Sequence, residues 1–160
     1  MTIEEQLDRT LALWQPFQND ERQLEVEADG KHLVCTLVAL DSLACAFTSL
    51  VLRSDRLAGA SIDRLKAIAG NLSKRLTYLL EPIAPIETDI DRCMVQMRST
   101  PPHKLSDHVD YYELLVNRSG ELALSRYSRP TGSIQRIAIP AQVTREVLIR
   151  LAGDFAAAAG

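Results

Sequence analysis

KHLVCTLVALDSLACAFTSLVLRSD, residues Lys31 to Asp55, is the most apolar stretch of the chain, and its interpretation decides the fold. The stretch is long enough for a membrane-spanning helix. However, Asp41 lies near its middle, and a central aspartate costs about 2.5 to 3.5 kcal/mol on membrane-insertion scales. We therefore predict no membrane span here, but one strand near 31–39, a tight turn, and a second strand near 42–52.

The preceding residues support this division. In QLEVEADG, Leu24 and Val26 alternate with glutamates, as expected for a half-exposed strand, and the Asp29-Gly30 pair is a strong hairpin signal. The apolar stretch therefore begins as the partner of this strand. Because the segment 42–52 is apolar on both faces, we expect it to be a central strand or part of a subunit contact.

Three helices are predicted from apolar residues at helical spacing. The first begins with a capping box formed by Thr2 and Glu5, and the second begins at Ser61 and ends before Pro82. The third is predicted to hold Pro140 in its first turn.

The remaining segments indicate further strands. The apolar pattern changes phase between 84–90 and 93–98, which predicts two strands joined by a turn. After a long polar connection at 99–110, YYELLVN and ELALSRYS form a hairpin, and SIQRIAI adds another strand. The fold class is therefore α+β, with antiparallel meanders of about eight strands and N-terminal, central and C-terminal helices packed on the sheet in two layers.

We expect one domain spanning 1–160, since the chain is of ordinary domain size. Three strands followed by a helix occur in 24–80 and again in 111–157. This repeated order raises the hypothesis of an internal duplication.

Composition excludes several classes of function. The net charge of −3 gives no general attraction for nucleic acid or anionic lipid. The acidic amino terminus does not resemble a secretory signal, and the three cysteines lack CxxC spacing, so we expect a cytoplasmic protein without disulfides. No nucleotide-binding, α/β-hydrolase or zincin motif occurs, so no cofactor and no catalytic residue is assigned.

The long polar connection contains candidate metal ligands. His103, His108 and Asp110 offer donor types that bind divalent ions, and Asp107 lies between the histidines. A small hydrolase or transferase using Asp107, His108 or Asp110 in the 103–112 loop, with or without a metal, is the alternative functional hypothesis. It requires these side chains to converge with Tyr111 in a concave pocket.

Aromatic and cationic residues concentrate on the predicted hairpin, as is typical of binding hot spots. The candidate binding residues are Tyr111, Tyr112, Arg126, Tyr127 and Arg129. Given the acidic charge of the chain, we expect a protein partner rather than nucleic acid.

The predicted order is helix, three strands, helix, strands, helix, in a small acidic chain. This order is similar to that of type III secretion chaperones. The resemblance covers element order and size, includes no motif and departs in strand count, so no residue role follows from it. Together with the apolar strand and the tyrosine-rich hairpin, it favours a non-enzymatic cytoplasmic module, chaperone-like or adaptor-like, that binds a protein partner or forms a homodimer.

Overall fold

The computed structural model describes all 160 residues and confirms the α+β fold class. The helices are α1 (Ile3–Leu13), α2 (Ile62–Arg75) and α3 (Arg145–Ala159). Ten strands form one antiparallel sheet, and their bounds are β1 (Phe17–Ala28), β2 (Lys31–Leu40), β3 (Ala44–Ser54), β4 (Ile83–Asp89), β5 (Met94–Ser99), β6 (His103–Lys104), β7 (His108–Asn117), β8 (Glu121–Pro130), β9 (Ile137–Ile139) and β10 (Ala141–Thr144).

The main strands lie side by side in the order β1-β2-β3-β8-β7-β5-β4. Side chains alternate between the two faces of each strand. On β8, for example, Leu122 and Leu124 are fully buried in the core shared with the helices, whereas Ala123 and Ser125 are only half-buried. The helices therefore cover one face of the sheet, and we call the other face the open face.

The apolar stretch forms β2 and β3, as predicted, and β3 is a central strand paired with β2, β8 and β10. The connection is longer than predicted, because the Asp41 carboxylate accepts backbone hydrogen bonds from Leu43 at 2.8 Å and Ala44 at 2.7 Å. β3 therefore begins at Ala44, and it runs to Ser54. No helix in the structure is long and apolar enough to cross a membrane.

The predicted helix starts are correct for α1 and α2 and wrong for α3. Thr2 and Glu5 form the capping box, and Ser61 caps α2 by accepting a hydrogen bond from the Arg64 amide. Pro140, predicted in the first turn of the last helix, instead precedes β10. α3 begins only after Thr144, whose hydroxyl accepts from the Val147 amide.

The two terminal helices pack against each other, and α1 also packs on β1. Leu7 and Leu11 of α1 are completely buried. The approach to α3 is close at Gly153, where the Glu4 side chain occupies the position that a Cβ atom would take.

The sheet splits between β3 and β8. These two strands pair over four residues, from Leu50 with Leu124 to Arg53 with Glu121. Beyond this ladder they diverge, and the gap is filled by β9, which pairs with β8, and β10, which pairs with β3. Pro140 separates the two short strands, which therefore form a V inside the sheet.

Candidate functional site

The tyrosine-rich hairpin is formed by β7 and β8, and its register places Tyr111 opposite Tyr127 and Tyr112 opposite Arg126. Because neighbouring side chains point to opposite faces, the five predicted binding residues do not form one surface. Tyr111, Tyr127 and Arg129 belong to the open face, and Tyr112 and Arg126 belong to the helix-covered side.

On the open face, two tyrosines and two arginines form a compact group, which we call the tyrosine–arginine cluster. The rings of Tyr111 and Tyr127 lie 6.1 Å apart between centroids. The Arg98 guanidinium lies 4.7 Å from the Tyr111 centroid, and that of Arg136 lies 3.6 Å from the Tyr127 centroid. These distances are those of cation–π contacts.

Glu113 fixes the position of Arg136 in this cluster through hydrogen bonds. Its carboxylate is buried and accepts hydrogen bonds from Arg136 Nη1 at 2.6 Å and from Gln96 Nε2 at 2.9 Å. The hydrogen bond to Glu113 raises the pKa of Arg136 above its ordinary value. Arg136 is thereby a fixed cation that ties the segment before β9 to the open face.

Sequence reasoning missed Arg98, Glu113 and Arg136. Glu113 could have been predicted from sequence, because the alternation on β7 places it on the same face as Tyr111. No local sequence pattern indicates Arg98 or Arg136, since they join the cluster through the β5–β7 register and the chain path after β8.

Small and aliphatic side chains occupy the centre of the open face. Val34 pairs with Val51, and Val51 pairs with Ala123, and all three are half-buried. A depression of about 460 Å³ lies at the end of this patch, lined by Ala39, Ala46 and other residues. The open face therefore has small and aliphatic side chains at its centre and a depression at one end.

A second concavity lies on the helix-covered side, where the sheet splits. It has a volume of about 440 Å³, and we call it the split cavity. Its walls come from the segment between α2 and β4, from β7 and β8, from the V of β9 and β10, and from α3. The lining residues are Tyr78, Leu79, Leu80, Glu81, Asp110, Tyr112, Arg126, Ile139, Pro140, Gln142, Val143, Thr144 and Val147.

A buried ion pair belongs to this lining. Arg126 donates to both oxygens of Glu81 at 3.1 and 2.9 Å, and the side chains are only 13% and 11% exposed. The Ser99 hydroxyl donates to Glu81 at 2.6 Å. The Arg126 guanidinium also stacks 4.5 Å from the centroid of Tyr112, whose pKa burial raises.

The structure places the three candidate metal ligands, His103, His108 and Asp110, on β6 and β7. His108 Nδ1 lies 2.5 Å from Asp107 Oδ1, and Nε2 lies 3.8 Å from Asp110 Oδ1. His103 is exposed and pairs in register with Asp110. The structure contains no group of three or more histidine, cysteine or acidic side chains that could hold a metal ion.

The catalytic hypothesis requires Asp107, His108 and Asp110 to converge with Tyr111 in one pocket. The structure does not bring them together in this way. Asp110 lines the split cavity, whereas Tyr111 follows it on the strand and lies on the open face. Asp107 is exposed, and its hydrogen bond to His108 lowers the pKa of its carboxyl.

The three cysteines are buried and unpaired. Burial raises the pKa of Cys45 to about 11 and raises that of Cys35 further. A thiol with a raised pKa supplies little thiolate at neutral pH, so Cys35 and Cys45 are poorly suited to act as nucleophiles.

Comparisons with models of protein families, with curated proteins and with solved structures find no match to this chain. The geometry of the two faces is therefore the basis for the functional proposal.

Proposed function

We propose that the chain is a non-enzymatic cytoplasmic protein-interaction module that binds a protein partner, in the first instance a second copy of itself, through the open face. The observation that carries the proposal is the absence of any helix over this face, although its central residues are aliphatic or small. Two such faces can stack at about 10 Å, as in β-sandwiches.

The composition of the open face supports a protein partner. Tyrosine and arginine are enriched at the energetic centres of protein interfaces. Here Arg98 and Arg136 are stacked on tyrosine rings, and Glu113 fixes one of them. Because Tyr111 itself is buried, a partner would meet Tyr127 and the two arginines, which are already ordered, and this lowers the entropy cost of binding.

The edges of the sheet are less suited to association. β1 carries several charged residues, and its pairing with β2 shifts register between Gln18 and Arg22. β4 contains Pro85, and its pairing with β5 also shifts register there. Charges, proline and irregular pairing are the usual devices that discourage edge-to-edge pairing, so face-to-face contact is favoured.

A cytoplasmic location is consistent with the three buried free thiols, since reducing compartments keep cysteines unpaired. The catalytic alternative has less support, because Asp107, His108 and Asp110 do not meet Tyr111 in one pocket.

Light scattering coupled to size exclusion, over a range of concentrations, tests the proposal. We expect a dimer for the unmodified chain and a monomer for Val51→Glu, which places a charge in the centre of the open face. Leu13→Glu is the matched control, because Leu13 is 76% exposed at the end of α1 and lies outside the open face. It is expected to remain dimeric.

Circular dichroism of each variant shows whether the fold is retained. A chain that is monomeric at every concentration contradicts self-association, and a Val51→Glu dimer contradicts the assignment to the open face. Repeating the measurement with EDTA and with zinc tests the metal-dependent alternative, for which a change in mass or thermal stability is expected.

A further inference from the structure

The split cavity has apolar walls. Leu79, Ile139, Val143 and Val147 line it, and its volume of about 440 Å³ lies in the range of cavities that bind small molecules. The cavity lies on the helix-covered side of the sheet, so its role is separate from the protein contact proposed for the open face.

The charges in the lining do not balance. Only Glu81, Asp110 and Arg126 are charged among the lining residues. Arg126 is paired with Glu81 through two hydrogen bonds, which leaves the charge of Asp110 uncompensated within the cavity. The charged lining residues therefore sum to a formal charge of −1, which favours a cation over an anion.

The Asp110 carboxylate also lacks a hydrogen-bond partner. Its Oδ1 atom is buried and accepts no hydrogen bond, and the nearest basic nitrogen, His108 Nε2, is 3.8 Å away. Buried polar atoms in native proteins nearly always have partners, and exceptions call for an explanation such as a bound ion or ligand. A rotation of the carboxylate about its Cβ–Cγ bond would be needed to bring Oδ1 to the surface of the cavity.

The rim of the cavity carries an unusual leucine. Leu80 has φ +68°, a left-handed conformation that is rare for leucine, and its side chain is 97% exposed. Such a backbone outlier is costly and is often retained at binding sites. In this position Leu80 would extend the apolar wall toward a bound molecule.

We propose that the split cavity binds a small organic cation, namely a protonated amine on a short hydrocarbon chain. The hydrocarbon packs against Leu79, Ile139, Val143 and Val147, and the ammonium donates a hydrogen bond to the Asp110 carboxylate. The ligand enters past Leu80.

The test uses n-hexylamine as the probe, titrated into the full chain and followed by amide chemical shifts in two-dimensional NMR and by calorimetry. n-Hexanol and hexanoate share the hydrocarbon body but carry no charge or a negative one. We expect hexylammonium to bind about tenfold more tightly than hexanol, as a charge-assisted hydrogen bond implies. Shifts are expected at Ile139, Val143 and Val147, and hexanoate is expected not to bind.

Asp110→Asn should weaken hexylammonium binding about tenfold and leave hexanol binding unchanged. The matched control is Asp107→Asn, which removes the same charge three residues away, at a side chain that is 82% exposed. It should change binding less than about twofold. If Asp110→Asn fails to fold, Val147→Phe, which fills the cavity from α3, should abolish binding instead.

Nα-acetyl-lysine methylamide distinguishes a free amine from the lysine side chain of a protein, since both carry an alkylammonium. Shifts of the same amides with either compound support the cation site. Equal binding of hexanol and hexylammonium overturns it, as does preferential binding of hexanoate or an Asp110→Asn variant that binds normally.

Discussion

Replacing Arg126 by methionine tests the energetic role of the buried ion pair. The substitution keeps a long side chain that can cover Tyr112 but removes both hydrogen bonds to Glu81. The Glu81 carboxylate then keeps only the Ser99 hydroxyl as a partner. Because both side chains of the pair are nearly buried, an uncompensated charge remains inside the protein.

Removing one partner of a buried ion pair usually costs about 3 to 5 kcal/mol of stability. We expect Arg126→Met to lower the free energy of unfolding by about 3 kcal/mol, the lower end of that range, since Ser99 still solvates Glu81. The double variant Arg126→Met/Glu81→Leu removes both charges and should recover most of this loss, to within about 1 kcal/mol of the unmodified protein.

Urea unfolding followed by circular dichroism measures these values. Arg129→Met is the control, because Arg129 lies on the same strand and makes one hydrogen bond, to the Ser133 carbonyl at 2.7 Å. It should cost less than about 1 kcal/mol. The reasoning is refuted if Arg126→Met costs no more than Arg129→Met, or if the double variant is less stable than the single one.

Three further predictions concern other parts of the chain. Leu80→Gly should be about 0.5 to 1 kcal/mol more stable to urea than Leu80→Ala, because relief of the left-handed strain exceeds the added flexibility of glycine in the unfolded chain; equal stability would contradict this. The hydrogen bonds that lower the pKa of Asp41 stabilise the folded state above the unfolded pKa, and this contribution is lost as pH falls through the folded value. The stability difference between the unmodified protein and Asp41→Asn should therefore shrink in acid urea titrations, and a difference that grows would be inconsistent. In the folded protein, Cys45 should react with iodoacetamide far more slowly than in the unfolded protein, since burial raises its pKa to about 11. Mass spectrometry measures the labelling, and rapid labelling of Cys45 in the native protein would contradict this prediction.

Local patterns predict the β1–β2 hairpin and the starts of α1 and α2. The register of β1 and β2 next to the turn follows from the Asp29-Gly30 pair and from the alternation of apolar residues on both sides of it. The capping residues Thr2 and Ser61 likewise lie next to the helices that they begin. Such features depend on neighbours in sequence, so they can be predicted from sequence.

The end of the chain shows where local patterns are insufficient. Val143 and Val147 have helical spacing, yet Val143 lies on β10 and pairs with Cys45 of β3. The strand forms because β3 and β8 diverge and leave backbone groups of β3 without a partner. That divergence is a tertiary property, so it cannot be predicted from the sequence around Pro140.

The candidate site could be predicted only in part for the same reason. The hairpin residues were identifiable by composition, but their separation between two faces depends on alternation, and their partners come from elsewhere. Glu81 reaches Arg126 from the segment after α2, and Arg136 reaches Glu113 from the segment after β8. Contacts between distant segments leave no mark in local spacing.

The packing of α1 against α3 has a consequence for the order in which the chain can fold during synthesis. Leu7 and Leu11 are synthesised before α3, and β1 can cover them only in part, since α3 forms another side of their environment. α3 (Arg145–Ala159) follows all ten strands in chain order. While the strands are being synthesised, α1 therefore has an apolar stripe that α3 does not yet cover, and exposed apolar surface of this kind makes a partly folded chain prone to aggregation.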